Sequence, residues 1–218
     1  GEKHFNDIVL HTPEWYTKQG IELISGQVVV DVNRRQRQVI TDQGLSIAYD
    51  RLLLATGSVP FIIPIPNHNH VCVLSFRDIQ DVEAMLAATT EKKRVAVIGG
   101  GLLGLEAANG LLKRGVDVTV IHDVTCLMNR QLDSEAAHLL QKQLENNGMK
   151  FRMGVVTKEI VAKDAEHLSH LTFREGEDLV RDLVIMAVGV RPNVALAKQI
   201  GLQVDKAILV SDTMQTFD

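Results

Sequence analysis

The fold is decided by the stretch Val95-Ala96-Val97-Ile98-Gly99-Gly100-Gly101-Leu102-Leu103-Gly104, in which an apolar run passes directly into a glycine-rich turn. The four residues before the turn have the composition of a strand buried on both faces of a parallel sheet. The residues that follow, up to Lys113, are typical of a helix, and Gly115 marks its end. A strand, a G-x-G-x-x-G turn and a helix in this order predict a dinucleotide-binding α/β unit.

Each glycine of the motif has its own physical task. Gly99 allows a tight turn, Gly101 lets the backbone approach a pyrophosphate, and Gly104 lets the helix pack closely on the sheet. The free N–H groups at the helix start then face the anion. The alternative is a glycine-rich turn in an unrelated α/β protein, but the flanking strand and helix favour dinucleotide binding. The predicted pyrophosphate-binding residues are Gly99, Gly100, Gly101, Leu102, Leu103 and Gly104.

The end of the next strand should bind the adenosine ribose. An acidic residue is expected there, about 20 residues after the glycines. The strand Val118–Ile121 ends at His122, and Asp123 follows. A carboxylate favours NAD and a cation favours the 2′-phosphate of NADP, so the coenzyme stays open between NADH and NADPH, with a slight preference for NADH. The alternative is a polar strand end that faces solvent.

The remaining pattern predicts the order of the other elements. Before the motif, we expect an antiparallel meander, a buried strand and a connecting helix, at Val28–Asp31, Gln38–Thr41, Leu45–Tyr49, Arg51–Gly57 and Asp78–Ala88. After it, strands and helices alternate and a hairpin follows, at Val116–Ile121, Ser134–Asn147, Lys150–Met153, Val155–Lys163, His167–Phe173 and Asp182–Val188. Alternation of this kind indicates an α/β fold with a Rossmann-like domain.

Composition and charge exclude several classes of function. The chain has 218 residues and a net charge of −4, which argues against nucleic-acid binding. Its 2 cysteines cannot provide the four thiolates of a zinc or iron–sulfur site. His68 and His70 form an H-x-H pair without further ligands, so we expect no metal site. There is no membrane-length apolar run and no signal-peptide core, so we expect no membrane association and a cytoplasmic location.

Two further glycine turns bracket the motif in chain order. Ala55-Thr56-Gly57-Ser58 precedes a proline-rich connection, and Ala187-Val188-Gly189-Val190-Arg191-Pro192-Asn193 follows the last predicted strand. Over essentially the whole chain, this ordered set resembles the pyridine nucleotide–disulfide oxidoreductases and their relatives. The resemblance implies an FAD-binding domain interrupted by an NAD(P)H-binding domain. It implies NAD(P)H contacts at Val188 and Gly189, and FAD contacts in the parent protein at Ala55, Thr56, Gly57 and Arg77.

Two charged residues have both a family and a local interpretation. The resemblance places Glu106 beside the nicotinamide as the one candidate catalytic residue, whereas locally it is an acid favoured near a helix N-terminus. Arg77 resembles a family arginine near FAD, and a surface arginine is equally consistent with the sequence.

The segment Leu127-Met128-Asn129-Arg130-Gln131-Leu132-Asp133 resembles the large subunits of NAD(P)H-dependent nitrite reductases. This similarity implies that Arg130 contacts NAD(P)H. Alternatively, the segment is a solvated loop, with Asp133 as the N-cap of the next helix. Rubredoxin and ferredoxin reductases of the same family look similar elsewhere but usually differ here.

The resemblance also predicts the domain organisation. We expect a partial FAD-binding domain over 1–91, an NAD(P)H-binding domain of three-layer β/β/α character over 92–193, and a truncated return segment over 194–218. The family's first G-x-G-x-x-G is absent from 1–54, so we interpret the chain as an internal fragment that binds FAD poorly alone. Iron–sulfur and siroheme groups are expected only outside it.

Three functions remain open. The first is hydride transfer from NAD(P)H to FAD, which in the parent protein feeds nitrite reduction to ammonia through downstream redox domains. The second is NADH-dependent rubredoxin or ferredoxin reduction, with a small electron-carrier protein as partner. The third is a dinucleotide-binding module without turnover, which describes the fragment alone. A homodimer is compatible with the sequence.

Overall fold

The computed structural model describes residues 5–90 and 93–217. After a 3₁₀ turn at Phe5–Ile8, the helices are α1 (Pro13–Lys18), α2 (Ile79–Ala88), α3 (Leu102–Leu112), α4 (Ser134–Asn146) and α5 (Ala195–Gln199). The strands are β1 (Val29–Asn33), β2 (Gln38–Thr41), β3 (Ser46–Ala48), β4 (Ser58–Pro60), β5 (Val73–Ser75), β6 (Arg94–Ile98), β7 (Asp117–His122), β8 (Lys150–Met153), β9 (Thr157–Ala162), β10 (Leu168–Phe173), β11 (Leu179–Val180), β12 (Leu183–Met186) and β13 (Val190–Pro192).

The chain forms two compact units, one of residues 59–191 and one of residues up to 58 together with those from 192. The larger unit contains a five-stranded parallel sheet in the order β5-β12-β6-β7-β8. Its central strands are buried on both faces, as their continuous apolar sequences predict. The predicted α/β class and Rossmann-like sheet are therefore confirmed.

The larger unit has the predicted β/β/α layers. Crossovers between parallel strands are right-handed, so α2, α3 and α4, whose connections all run in one direction across the sheet, share one face. The chain then returns from β8 to β12 through β9, β10 and β11, which form an antiparallel sheet. This return places the second sheet on the opposite face. Ile160 and Leu171 of the second sheet share one buried core with the parallel strands.

The smaller unit contains the predicted antiparallel meander, β1-β2-β3, with turn residues 34–37 between its first two strands. Helix α5 lies next to β1, where the side-chain amide of Gln199 donates a hydrogen bond to the carbonyl of Val30 at 2.8 Å. Short strands β4 and β13 pair with each other.

The prediction of a buried strand at Arg51–Gly57 is wrong. These residues form no strand in the structure, and most of their side chains are exposed, with Leu53 87% accessible. The apolar run predicts a strand because its composition resembles that of β6 and β12. A strand also needs a neighbour for its backbone groups, and no described strand forms a ladder with this segment.

The predicted boundary between residues 91 and 92 is also displaced. Lys92 itself lies outside the described residues, but β5 pairs with β12 in the parallel sheet, and α2 packs on β5. Residues 59–90 therefore belong to the larger unit. The change of sequence pattern near Lys92 marks the start of a central strand, whereas the edge strand Val73–Ser75 has only three residues and a weak pattern.

No helix among the described residues is long and apolar enough to cross a membrane. The same residues contain no group of three or more His, Cys, Asp or Glu side chains that could hold a metal ion.

Candidate functional site

A cleft of about 550 Å³ opens at the carboxyl ends of β6, β7 and β12 in the larger unit. In open parallel sheets this is the edge at which ligands bind. The glycine-rich turn forms its centre, the end of β7 forms one side, and residues 187–189 form the other. The residues that line it are Phe61, Ile63, Ile98, Gly99, Gly101, Leu102, Leu103, Ile121, His122, Asp123, Val124, Asn129, Arg130, Gln131, Val155, Val156, Thr157, Ala187, Val188 and Gly189.

Protein atoms fill the space beside the first and last glycines of the motif, whereas the space beside the middle glycine is open. A Cβ on Gly99, whose φ is +123°, would lie 2.8 Å from the carbonyl carbon of Ala187. A Cβ on Gly104 would lie 2.9 Å from the carbonyl carbon of Gly99 and would overlap its oxygen. A Cβ on Gly101 would meet no protein atom within 4 Å. Only Gly101 thus leaves space that a ligand could occupy.

Helix α3 begins at this open position without a side-chain cap. Gly101 is its N-cap, and no acidic residue lies in its first turn. By contrast, α2 and α4 are capped by the carboxylates of Asp78 and Asp133, the second of which confirms the predicted N-cap. The free N–H groups of a helix start, with its positive dipole end, attract an anion. The α3 start therefore suits a phosphate group.

Backbone hydrogen bonds fix the turn against its neighbours. The N–H of Gly99 donates to the carbonyl of Ile121 at 2.8 Å, and the N–H of Met128 donates to the carbonyl of Gly100 at 2.9 Å. The second bond ties the loop after β7 to the glycine turn, so one side of the cleft is held to its centre.

His122 packs directly on the glycine turn. A Cβ on Gly100 would lie 2.6 Å from His122 Cδ2 and 2.9 Å from a methyl group of Leu127. Gly100 is therefore required because the imidazole ring occupies the space beside it. Only 12% of the His122 side chain is exposed, and its Nδ1 lies 3.2 Å from Asp123 Oδ1.

The opposite side of the cleft is built by Gly189 and Phe61. Gly189 has a φ of +114°, and its carbonyl accepts a hydrogen bond from the N–H of Phe61 at 2.9 Å. The guanidinium of Arg191 lies 3.9 Å from the centre of the Phe61 ring. This cation–π contact holds the ring at the cleft margin.

The order of motifs in the chain and the geometry of the cleft match a known family. The sequence pattern of the pyridine nucleotide-disulphide oxidoreductases covers residues 2–218. The chain belongs to this family.

Within the family, the chain is similar to nitrite and nitrate reductase components. It is 48% identical to the nitrite reductase [NAD(P)H] of Bacillus subtilis over 216 residues. This aligned region covers 99% of this chain and 27% of that protein. It is 44% identical to the assimilatory nitrate reductase electron transfer subunit of Bacillus subtilis, over 99% of this chain and 28% of that protein. The chain thus spans little more than a quarter of these two relatives.

A solved structure shows the same fold. A ferredoxin reductase from Rhodopseudomonas palustris superposes with a TM-score of 0.89 at 30% identity, over 97% of this chain and 52% of that one.

The structure gathers many of the residues that the sequence predicted for the dinucleotide site. Lining the one cleft are Gly99, Gly101, Leu102, Leu103, His122, Asp123, Arg130, Val188 and Gly189. Gly100 and Gly104 do not line it, but they shape it through the close approaches described above.

Glu106 and Arg77 lie elsewhere in the larger unit. Glu106 is exposed on α3 and does not line the cleft. Arg77 is exposed just before α2. In the smaller unit, Ala55, Thr56 and Gly57 lie in an exposed segment without regular secondary structure, in which Thr56 Oγ1 donates a hydrogen bond to the carbonyl of Asn193 at 2.6 Å. The structure therefore brings neither Glu106 nor these predicted FAD contacts into the cleft.

Sequence reasoning missed two parts of the wall. Phe61 comes from the proline-rich connection, and Val155–Thr157 come from the segment that enters β9. Thr157 is 7% exposed, and its hydroxyl has no hydrogen-bond partner among the described residues. No local pattern indicates these residues, because both segments reach the cleft through tertiary packing.

Proposed function

We propose that this chain is the NAD(P)H-binding part of a flavoprotein reductase, whose full-length form reduces nitrite to ammonia. The observation that carries the proposal is the contrast among three glycines. Backbone atoms occupy the space beside Gly99 and Gly104, whereas Gly101 faces open space at a helix start that no side chain caps. This is the arrangement that a coenzyme pyrophosphate requires, because the backbone must approach it without a side chain between them.

Three parts of the coenzyme would bind at the ends of three different strands. The start of α3 would hold the pyrophosphate, and His122, Asp123 and Arg130 at the end of β7 would hold the adenosine ribose. Val188, Gly189 and Phe61 at the end of β12 would then lie on the nicotinamide side. An exposed carboxylate at Asp123 supports a preference for NADH, since it can accept hydrogen bonds from ribose hydroxyls.

In the full-length protein, NAD(P)H supplies a hydride to FAD when both are bound. The role of this chain's residues is to bind and orient the coenzyme and to exclude water from the apolar side of the cleft, which Ile63, Val156 and Val188 line. Ala55, Thr56, Gly57 and Arg77 remain the proposed FAD contacts, and Glu106 remains the proposed neighbour of the nicotinamide. The downstream acceptor groups and nitrite as substrate are inferred from the 48% identical relative.

The test is a titration of the chain with NADH and NADPH, followed by nicotinamide fluorescence. We expect binding to wild type, and an at least about tenfold weaker affinity for Gly101→Ala, because the new methyl group lies where the pyrophosphate must approach. Gly110→Ala is the matched control: Gly110 lies in the helix that Gly101 caps, a Cβ there also meets nothing within 4 Å, and the change should not alter binding. Equal affinities for wild type and Gly101→Ala would contradict the proposal.

Reduction of a separate carrier protein is the second candidate function. The structural match to a ferredoxin reductase favours it. Nitrite consumption by the full-length protein with NAD(P)H, without an added carrier, would support the first function. Turnover only on addition of a ferredoxin would support the second.

A further inference from the structure

The imidazole of His122 forms the cleft wall at the position expected for the ribose-binding acid. Its ring packs against Gly100, as described above, and the backbone of His122 is paired with that of Met153 on β8. Only 12% of the side chain is exposed, so the ring is largely enclosed at the glycine turn.

Two charged side chains share this part of the wall. Asp123 lies 3.2 Å from the ring, and Arg130 lines the same cleft from the following loop. They are the only charged residues among those described that line the cleft besides His122. Their charges cancel, so the protonation of His122 decides whether the ribose end of the cleft is neutral or carries one positive charge.

Without a ligand, the structure favours the neutral ring. His122 Nε2 is buried and has no hydrogen-bond partner among the described residues, so protonation would place an uncompensated charge there. Burial accordingly lowers the pKa of His122 below its usual range, and Asp123 and the Cys126 backbone offset only part of this effect.

We propose that the protonation of His122 switches the coenzyme that this site accepts: the neutral form admits the ribose 2′-hydroxyl of NADH, and the protonated form admits the 2′-phosphate of NADPH. The inference rests on the proposed coenzyme site. A hydroxyl can donate a hydrogen bond to the exposed carboxylate of Asp123, so NADH needs no added charge. The dianionic form of the 2′-phosphate only accepts hydrogen bonds and is repelled by Asp123, so it requires the imidazolium together with Arg130.

The consequence is a proton linkage that separates the two coenzymes. Binding of NADPH takes up a proton at His122, whereas binding of NADH does not. As the pH falls towards the range in which the free ring titrates, the affinity for NADPH should rise by up to about tenfold per pH unit, and the affinity for NADH should stay constant.

The experiment measures the dissociation constants of NADH and NADPH between pH 5.5 and 8.5, for wild type, His122→Asn and His68→Asn. Asparagine keeps a polar side chain but cannot ionise, and the 2′-phosphate's own titration remains in that variant and is thereby subtracted. His68 is exposed in a loop and does not line the cleft, so its variant controls for the loss of a histidine. Calorimetry in buffers of different ionisation enthalpy measures proton uptake directly.

We expect the NADPH-to-NADH affinity ratio to rise at low pH in wild type and His68→Asn, and to lose this additional pH dependence in His122→Asn. NADPH binding should take up fewer protons in His122→Asn than in wild type. A ratio with the same pH profile in wild type and His122→Asn would overturn the inference while leaving the coenzyme site intact. Failure of wild type to bind either coenzyme at any pH would contradict the proposed function itself.

Discussion

Replacement of Gly104 by alanine tests how closely α3 packs against the turn that precedes it. An alanine Cβ at this position would overlap the carbonyl oxygen of Gly99 and lie 2.9 Å from its carbonyl carbon. The obstacle is backbone, which is itself fixed by the hydrogen bond from the Gly99 N–H to Ile121. The helix must therefore shift away from the sheet for the methyl group to fit.

The expected cost follows from overpacking a buried position. Insertion of a methyl group where the surroundings must move destabilises by about 1–3 kcal/mol. Alanine at Gly110, in the same helix but with no atom within 4 Å of its Cβ, should instead stabilise by about 0.5–1 kcal/mol through helix propensity. Because both alanines gain this helix propensity, it cancels in their difference, and the two variants should differ by roughly 1–3 kcal/mol in the free energy of unfolding.

Urea unfolding followed by circular dichroism measures this difference, and a melting curve gives it as about 2–4 °C per kcal/mol for a chain of this size. The Gly110→Ala variant controls for helix propensity. If Gly104→Ala unfolds at the same urea concentration as Gly110→Ala, the close approach of α3 to the turn is refuted.

Three further predictions concern stability. Asp133→Ala removes the carboxylate that accepts a hydrogen bond from the Ala136 N–H and should cost about 1 kcal/mol in urea unfolding; no change would exclude a capping role. The Arg94 guanidinium holds the pKa of Asp182 below its usual range, so the pair stabilises above the pKa of the unfolded chain and this contribution is lost as the pH falls through the lowered value. Because both side chains are partly exposed, Asp182→Asn should cost less than about 1 kcal/mol at pH 7, and melting curves should converge with wild type in acid. Ile160→Ala should cost about 2–5 kcal/mol, since this fully buried side chain lies in the shared core; a smaller loss would show that the two sheets do not pack there.

Elements of structure could be predicted from the sequence where one local pattern was sufficient to define them. The strand Val95–Ile98, the glycine turn and the helix after it lie within one continuous stretch, and the structure confirms all three. The cap at Asp133 is equally local. Such features depend on backbone preferences and on the alternation of apolar residues, both of which can be recognised without tertiary contacts.

Prediction failed where pairing partners decide the structure. Arg51–Gly57 has the composition of a strand, but none of the described strands pairs with it. Val73–Ser75 forms an edge strand, although its sequence pattern is weak. The contact between His122 and Gly100 could not be predicted either, because it joins two segments that are distant in the sequence and that meet only in the folded structure. Phe61 and Thr157 reach the cleft in the same non-local way.

Binding of a coenzyme pyrophosphate at the start of α3 can be observed residue by residue. The most direct test is an NMR titration of the ¹⁵N-labelled chain with NADH, in which the backbone amide of each residue reports separately. We expect the amides of Gly101, Leu102 and Leu103 to shift most, together with the ³¹P resonances of the pyrophosphate. Saturable binding that leaves these amides unmoved, or that shifts only residues of the smaller unit, would contradict it.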